Sequence, residues 1–541
     1  MIGTKLKTVI SASLMAGSLI GLVEALSILV GASAGEYDAL LWGVIGYSVV
    51  CLCLAPLSFL IALLLPLEEI SLWLSLFFGL YFLLTVWIFS PNIFQLSLLL
   101  IGVCFLFWFG GILLRRTPLK VLLTLKGMLA GFVLELLIVG IFSLTPGRNI
   151  YAPPTHALSA VGKPNVLVVL MDGLRKDYLR LGFSPAIDSF AQGSVQFERA
   201  FANAPDSFSS VAQLLSGGES TGSEVLLEGV VSIAEHFSYH GYQTFALVNQ
   251  PELGRFSNLH QGFDRYRYLP PRSTLALNEG TRQLKIFKTI LELQAEVLVE
   301  PDRLFRPARD VFFQFQQETR HLTQNEPWFA ILQVSELTPP YFVQRSDGEY
   351  VGVLYPQYSK PEELHGAYTD SLKRLDHDLS RLLVYLEQAR LRENTIVVLT
   401  ASSSALLSEK SQMHPAGIQV PLLISSPKIP AKKIRQDVQL SDLPVTLSSL
   451  VSIPSDTSWQ GEMIFRLPPH EYVRPIRASF QDRDQGWDLL QQGDWRYIEH
   501  QHKGEELYDL SNDPFQEINV IETYPQQKET MRGLLKKERQ R

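Results

Sequence analysis

Asn165-Val-Leu-Val-Val-Leu-Met-Asp172 is an unbroken apolar run closed by a carboxylate. A short continuous apolar segment reads as a strand buried on both faces, the kind found in the middle of a parallel sheet. An aspartate directly after such a strand stands at the sheet's carboxyl edge, where open α/β sheets carry their ligand sites. Thirty-five positions on, Ser207 opens Ser207-Phe-Ser-Ser-Val-Ala-Gln-Leu-Leu-Ser-Gly217, a hydroxyl at the start of a helical pattern. A carboxylate and a hydroxyl so placed form half of a metal-assisted ester-cleaving site.

Outward from this run, β-rich segments alternate with helical ones at 195 to 201, 243 to 248, 328 to 334, 395 to 401 and 420 to 425. The alternation predicts an α/β sandwich with a largely parallel sheet. Leu372, Leu375, Leu379, Leu382, Leu383 and Leu386 recur at helical spacing and predict a long helix over about 361 to 390 that covers one sheet face. From about 474, strand-like runs at 474 to 480, 495 to 500 and 506 to 509 and a helix from about 525 predict a small antiparallel sheet unit. Residues 283 to 299 read as an amphipathic helix packed on the core. Lys536, Lys537, Arg539 and Arg541 read as a solvated tail.

The first 150 of the 541 residues hold only seven of the 47 Lys/Arg and six of the 54 Asp/Glu. Five stretches there, 8 to 30, 39 to 66, 71 to 90, 92 to 114 and 121 to 143, reach the roughly 20 apolar residues needed to span hydrocarbon. Lys5 and Lys7 before the first, and Arg115, Arg116 and Lys120 before the fifth, predict a cytoplasmic N-terminus and an extracytoplasmic main domain. That sidedness depends on the count, because only Ser90-Pro-Asn92 separates the third stretch from the fourth. Glu24, Lys126 and Glu135 fall inside spans, where snorkelling or a neighbouring helix accommodates them. The predicted organisation is 1–145 transmembrane, 146–163 linker, 164–470 main domain and 471–541 terminal subdomain. Cys51, Cys53 and Cys104 all lie in the apolar region, which excludes a disulfide framework or thiolate zinc site from the main domain. No basic stripe points to nucleic acid.

The run to Asp172 with Arg175-Lys-Asp177, Ala204-Pro-Asp-Ser207 to Gly217, Gly241-Tyr-Gln-Thr244 and Gln261-Gly-Phe-Asp264 together resemble a sulfatase of the alkaline phosphatase superfamily. Val420-Pro-Leu-Leu-Ile424, Leu440-Ser-Asp-Leu-Pro-Val-Thr-Leu447, Gly493-Asp-Trp-Arg-Tyr497 and Glu506-Leu-Tyr-Asp-Leu-Ser-Asn-Asp-Pro514 extend the resemblance to about residue 520. Five spans before such a domain are similar to the plan of lipoteichoic acid synthases and phosphoethanolamine transferases. The resemblance implies a divalent cation (Mg, Mn, Ca or Zn) with Asp172 as a ligand and Ser207 as the nucleophile. It also locates departures. The family's second ligand pair is replaced by Ser402 and Ser403, a substrate-contacting histidine by Thr338, and the cation of the nucleophile motif by Val211.

Read as structure alone, Asp172 caps the turn after its strand and Ser207 is a helix N-cap. Glu409 and His414 stand as substitute ligands. The expectation is a multi-pass protein of a bacterial-type cell membrane that is catalytically degenerate and holds no cofactor. It would bind a lipid headgroup, glycan or envelope protein in sensing or regulation. The alternative is an active sulfuric- or phosphoric-ester hydrolase or transferase using Ser207 with non-standard metal ligands.

Overall fold

A computed structural model describes residues 158–539 other than 219–229, 255–256, 273–297, 323–325, 346, 357, 406, 408–414, 466–472, 483–484 and 514–515. The five apolar stretches, Glu24, Lys126, Glu135, the three cysteines, Arg541 and nearly all of the 283–299 segment lie outside the described residues, as do Glu409 and His414. Among the described residues no helix is long and apolar enough to cross a membrane. The chain divides into two units, Met1–Ile150 with Thr274–Leu291, and Tyr151–Ser273 with Glu292–Arg541; the second holds everything described below.

The opening run forms β1 (Asn165–Met171), in which every residue is buried. The expected strands follow as β2 (Val195–Phe201), β3 (Gln243–Val248), β5 (Trp328–Val334), β8 (Thr395–Thr400) and β9 (Gln419–Ser425). Two more, β4 (Arg265–Tyr268) and β10 (Lys432–Gln439), complete an eight-stranded sheet in the order β10-β2-β9-β8-β1-β5-β3-β4. Both additions sit at its edges, and neither carries a buried-strand pattern: Arg-Tyr-Arg-Tyr and Lys-Lys-Ile-Arg-Gln-Asp-Val-Gln are amphipathic or charged, as edges tolerate. The sheet is mixed. β1 runs parallel to β5 and β8, whereas β9 runs antiparallel to both β8 and β2. A short hairpin, β6 (Tyr341–Gln344) with β7 (Tyr350–Leu354), lies apart from it.

Helices supply the apolar cover. α1 (Pro185–Gln192), α2 (Ser207–Ser216), α3 (Ile233–Tyr239), α4 (Ala308–Arg320), α5 (Pro361–Gln388) and α6 (Leu443–Leu450) all contribute to one continuous core. The long predicted helix is α5, with Leu364, Leu372, Leu375, Leu379, Leu382 and Leu386 buried along one face. Each such side chain taken from water contributes roughly 1.5–3 kcal/mol. The same helix orients its neighbour, since Asp376 accepts from the amides of Ala186 (2.9 Å) and Ile187 (2.8 Å) and so caps α1 from outside.

The terminal unit is a four-stranded antiparallel sheet of β11 (Ile476–Asp482), β12 (Gln485–Gln492), β13 (Trp495–His500) and β14 (Gly504–Asp509), followed by α7 (Pro525–Glu538). β12 is absent from the sequence expectation because Gln-Gly-Trp-Asp-Leu-Leu-Gln-Gln does not alternate. The solvated tail needs correcting at Arg539. Its guanidinium reaches Asp488 of β12 and Glu499 of β13, tying the end of α7 to the sheet.

Candidate functional site

Asp172 follows β1 in the middle of the sheet, and its own amide donates to Val334 O of β5 (2.8 Å). The turn it opens is enforced by Gly173, whose φ of +81° favours glycine; a Cβ there would lie 2.4 Å from Leu337 O. β8 ends beside it, and Gly173 N donates to Ser403 O (3.1 Å) while Ala405 N donates to Gly173 O (3.1 Å). The loop after β8 is thereby pinned against the loop after β1. Parallel pairing of β1 with β8 brings together residues 230 positions apart.

The Asp172 carboxylate is fully buried and accepts three side-chain hydrogen bonds. Ser402 Oγ and Ser403 Oγ (3.2 Å) donate to Oδ1, and Ser207 Oγ donates to Oδ2. Burial pushes this carboxyl's pKa upward, the three hydroxyl donors pull it back, and the nearby Asp206 adds to the rise; the net direction is up. No backbone amide hydrogen bond to this carboxylate occurs among the described contacts, so the turn-capping role expected of Asp172 gives way to the serine hydroxyls.

Ser207 is the first residue of α2, not its cap. Asp206 occupies the N-cap, extended in backbone, with its side chain accepting from Ser209 N (2.8 Å). A cap must leave the helical φ/ψ region and accept from the third amide, and Asp206 does both, which releases the Ser207 hydroxyl toward Asp172. The other carboxylate oxygen, Asp206 Oδ2, is buried without a hydrogen-bond partner. Sequence reading assigned Asp206 no role, although an aspartate directly before a helical run is itself a cap signal.

The remaining expected positions are accounted for in turn. Thr338 is half-buried and turned into its own loop, its hydroxyl donating to Ser335 O (2.8 Å). Val211 is buried in the core on α2. Arg175 lies near the site but is engaged, donating to Ala405 O (3.1 Å) and pairing with Asp177 (2.6 Å). Among the described residues no group of three or more His, Cys, Asp or Glu side chains is arranged to hold a metal ion.

The sulfatase family model matches residues 164–453, more than half of the chain. The chain belongs to the sulfatase family. The chain is 22% identical over 458 aligned positions to an arylsulfatase of Clostridium perfringens, covering 70% of this chain and 94% of that protein. It is 32% identical over 122 residues to the inner membrane protein YejM of Salmonella typhimurium, covering 21% of this chain and only 20% of that one. A sulfatase of Formosa agariphila matches at 24% identity over 164 residues, 29% of this chain and 32% of the relative. Among solved structures, the phosphonate monoester hydrolase of Agrobacterium radiobacter superposes with a TM-score of 0.54 at 17% identity, over 70% of this chain and 95% of that one. At that identity the superposition shows the shared fold alone.

Proposed function

We propose that this protein is a membrane-anchored sulfatase-fold protein whose extracytoplasmic domain binds a lipid headgroup, a glycan or an envelope protein and no longer cleaves esters. The observation that carries the reading is the serine cage on Asp172. A divalent cation of the Mg²⁺ or Ca²⁺ kind needs roughly six oxygen ligands, several of them anionic. Here both oxygens of the central carboxylate accept from serine hydroxyls, and the nearby Asp206 is occupied as a helix cap through one of its own oxygens. Ser402 and Ser403 stand where the family resemblance calls for an Asp-His or Asp-Asn pair. The donor set of the described residues does not fit a catalytic cation. The apolar N-terminal stretches and the match to an inner membrane protein support anchoring.

Metal analysis of the purified full chain tests this reading. It should carry no stoichiometric Mn, Mg, Ca or Zn after dialysis, and a fully occupied ion would overturn the proposal. Replacing Ser402→Asp together with Ser403→His should then create metal affinity that the parent lacks.

One observation favours the second reading, an active hydrolase or transferase. Ser207 lies at a helix N-terminus with its hydroxyl on a buried carboxylate of raised pKa, the relation between a nucleophile and its base. Turnover of an aryl sulfate or phosphate ester that disappears in Ser207→Ala would establish it.

A further inference from the structure

α3 carries two histidines about one turn apart, in Ile233-Ala-Glu-His236-Phe-Ser-Tyr-His240, and the second closes the helix. Residues four apart share one helix face, and here the two imidazoles stand side by side, ring centres 4.4 Å apart and planes tilted by 49°. Trp459, in the loop after α6, packs edge-on against His236 with ring centres 4.8 Å apart. The cluster is separate from the serine cage: neither histidine hydrogen-bonds to Asp172, Ser207, Ser402 or Ser403.

Each ring is held by a backbone carbonyl through one nitrogen. His236 Nε2 donates to Pro454 O (2.7 Å), and His240 Nδ1 donates to His236 O (2.8 Å). A carbonyl only accepts, so these nitrogens carry the protons and the opposite nitrogen of each neutral ring carries a lone pair. Among the described residues no hydrogen bond engages His236 Nδ1 or His240 Nε2, and neither atom is sealed from solvent. Burial holds the His236 imidazole below its ordinary value of 6.5; the Pro454 carbonyl and Asp456 oppose the drop, and His240 adds to it. His236 is therefore neutral at pH 7, with its lone pair available.

An imidazole anchored to a carbonyl through its N–H, with the other nitrogen open, is the arrangement that metal-binding histidines adopt. Metal–nitrogen bonds of about 2.0–2.1 Å at a right angle place two imidazole centres roughly 4.5 Å apart. The pair on α3 has that spacing. Two protein ligands fall short of a closed zinc centre, in keeping with the lack of any three-membered ligand cluster among the described residues. They suit a tetragonal ion with two adjacent imidazoles and water in its other positions, and among first-row divalent ions nitrogen donors hold Cu²⁺ best. Asp456, whose charge acts on His236, adds a carboxylate beside the rings.

We propose that His236 and His240 form a bidentate, water-completed binding site for Cu²⁺. The inference does not depend on whether the Asp172 site is catalytic. Titration of the untagged full chain in detergent with copper(II) chloride, in a non-coordinating buffer, tests it. The readouts are tryptophan fluorescence and electron paramagnetic resonance of the bound ion.

Cu²⁺ should bind in the micromolar range, quench emission from the adjacent Trp459, and show two imidazole nitrogens in its hyperfine pattern. His240→Gln should weaken binding ~10-fold or more and leave a single nitrogen on the ion. His236→Gln should act in the same direction, and it decides the matter if His240→Gln fails to fold by thermal unfolding. His502→Gln, in the turn between β13 and β14, and Asp172→Asn should leave the affinity as it is. Absence of binding below millimolar Cu²⁺, fewer than two imidazole nitrogens on the ion, unchanged affinity in a folded variant of His236 or His240, or loss of binding in Asp172→Asn would overturn the proposal.

Discussion

Asp172 shows how one residue's chemistry depends on neighbours the sequence places far away. Its carboxyl is raised above the ordinary value of 3.8, first by burial, with the serine hydroxyls opposing. A carboxyl whose folded pKa is raised adds stability that is present below the unfolded pKa and is lost as pH rises through the folded one. Asp172→Asn should therefore unfold at a higher temperature than the parent at neutral pH, with the gap closing on acidification. A parent that instead gains stability over the variant when Mg²⁺ is added would point to a bound cation. Glu336 offers an independent case. Burial pushes its carboxyl from 4.5 to about 8, against the Ala308 amide that donates to it. Its contribution is complete below 4.5 and falls at up to ~1.4 kcal/mol per pH unit until about pH 8. Urea unfolding of Glu336→Gln should lack that slope, and an identical pH profile in parent and variant would remove the assignment.

Elements are set by caps and turns that the sequence marks unevenly. Asp206 ends the approach to α2 and begins the helix, so Asp206→Ala should cost about 1 kcal/mol while Asp206→Asn retains most of it. Denaturant midpoints would separate the lost cap from the lost charge. Gly173 is a stricter requirement, for its left-handed backbone alone costs a Cβ-bearing residue ~1–2 kcal/mol and the Leu337 carbonyl leaves no room. Gly173→Ala should be visibly less stable in thermal melts, and a neutral result would show that the loop after β5 yields easily. Buried central strands were legible because nothing but a two-faced apolar environment explains runs such as Ile396-Val-Val-Leu399. β4 and β10 were not, since edge strands need a main-chain partner on one side only and their side chains report little, and neither was β12, where the adjacent buried Leu489 and Leu490 break the alternation.

Across the whole domain, the terminal sheet is fastened to the main one through a buried ion pair. Asp442, in the Leu440-Ser-Asp-Leu-Pro block, accepts from Arg474 Nη1 (2.6 Å) and from the amides of Gln439 (2.8 Å) and Glu462 (2.8 Å). Asp442→Ala removes the nearer carboxylate of Arg474, leaving Glu462 at 3.7 Å, and should cost ~3 kcal/mol, read as a single lowered unfolding transition or as loss of the folded domain. Unchanged stability would mean that water reaches Arg474 at little cost. The α/β class, the positions of the buried strands along the chain and the long covering helix are legible in the chain alone, because hydrophobic periodicity is a local property. The convergence of Ser207, Ser402 and Ser403 on one carboxylate, and the capping of the helix by Asp206, come from the tertiary arrangement. Hydrogen-bond partners 230 positions apart are chosen by strand pairing and burial, and no local pattern in the chain records that choice.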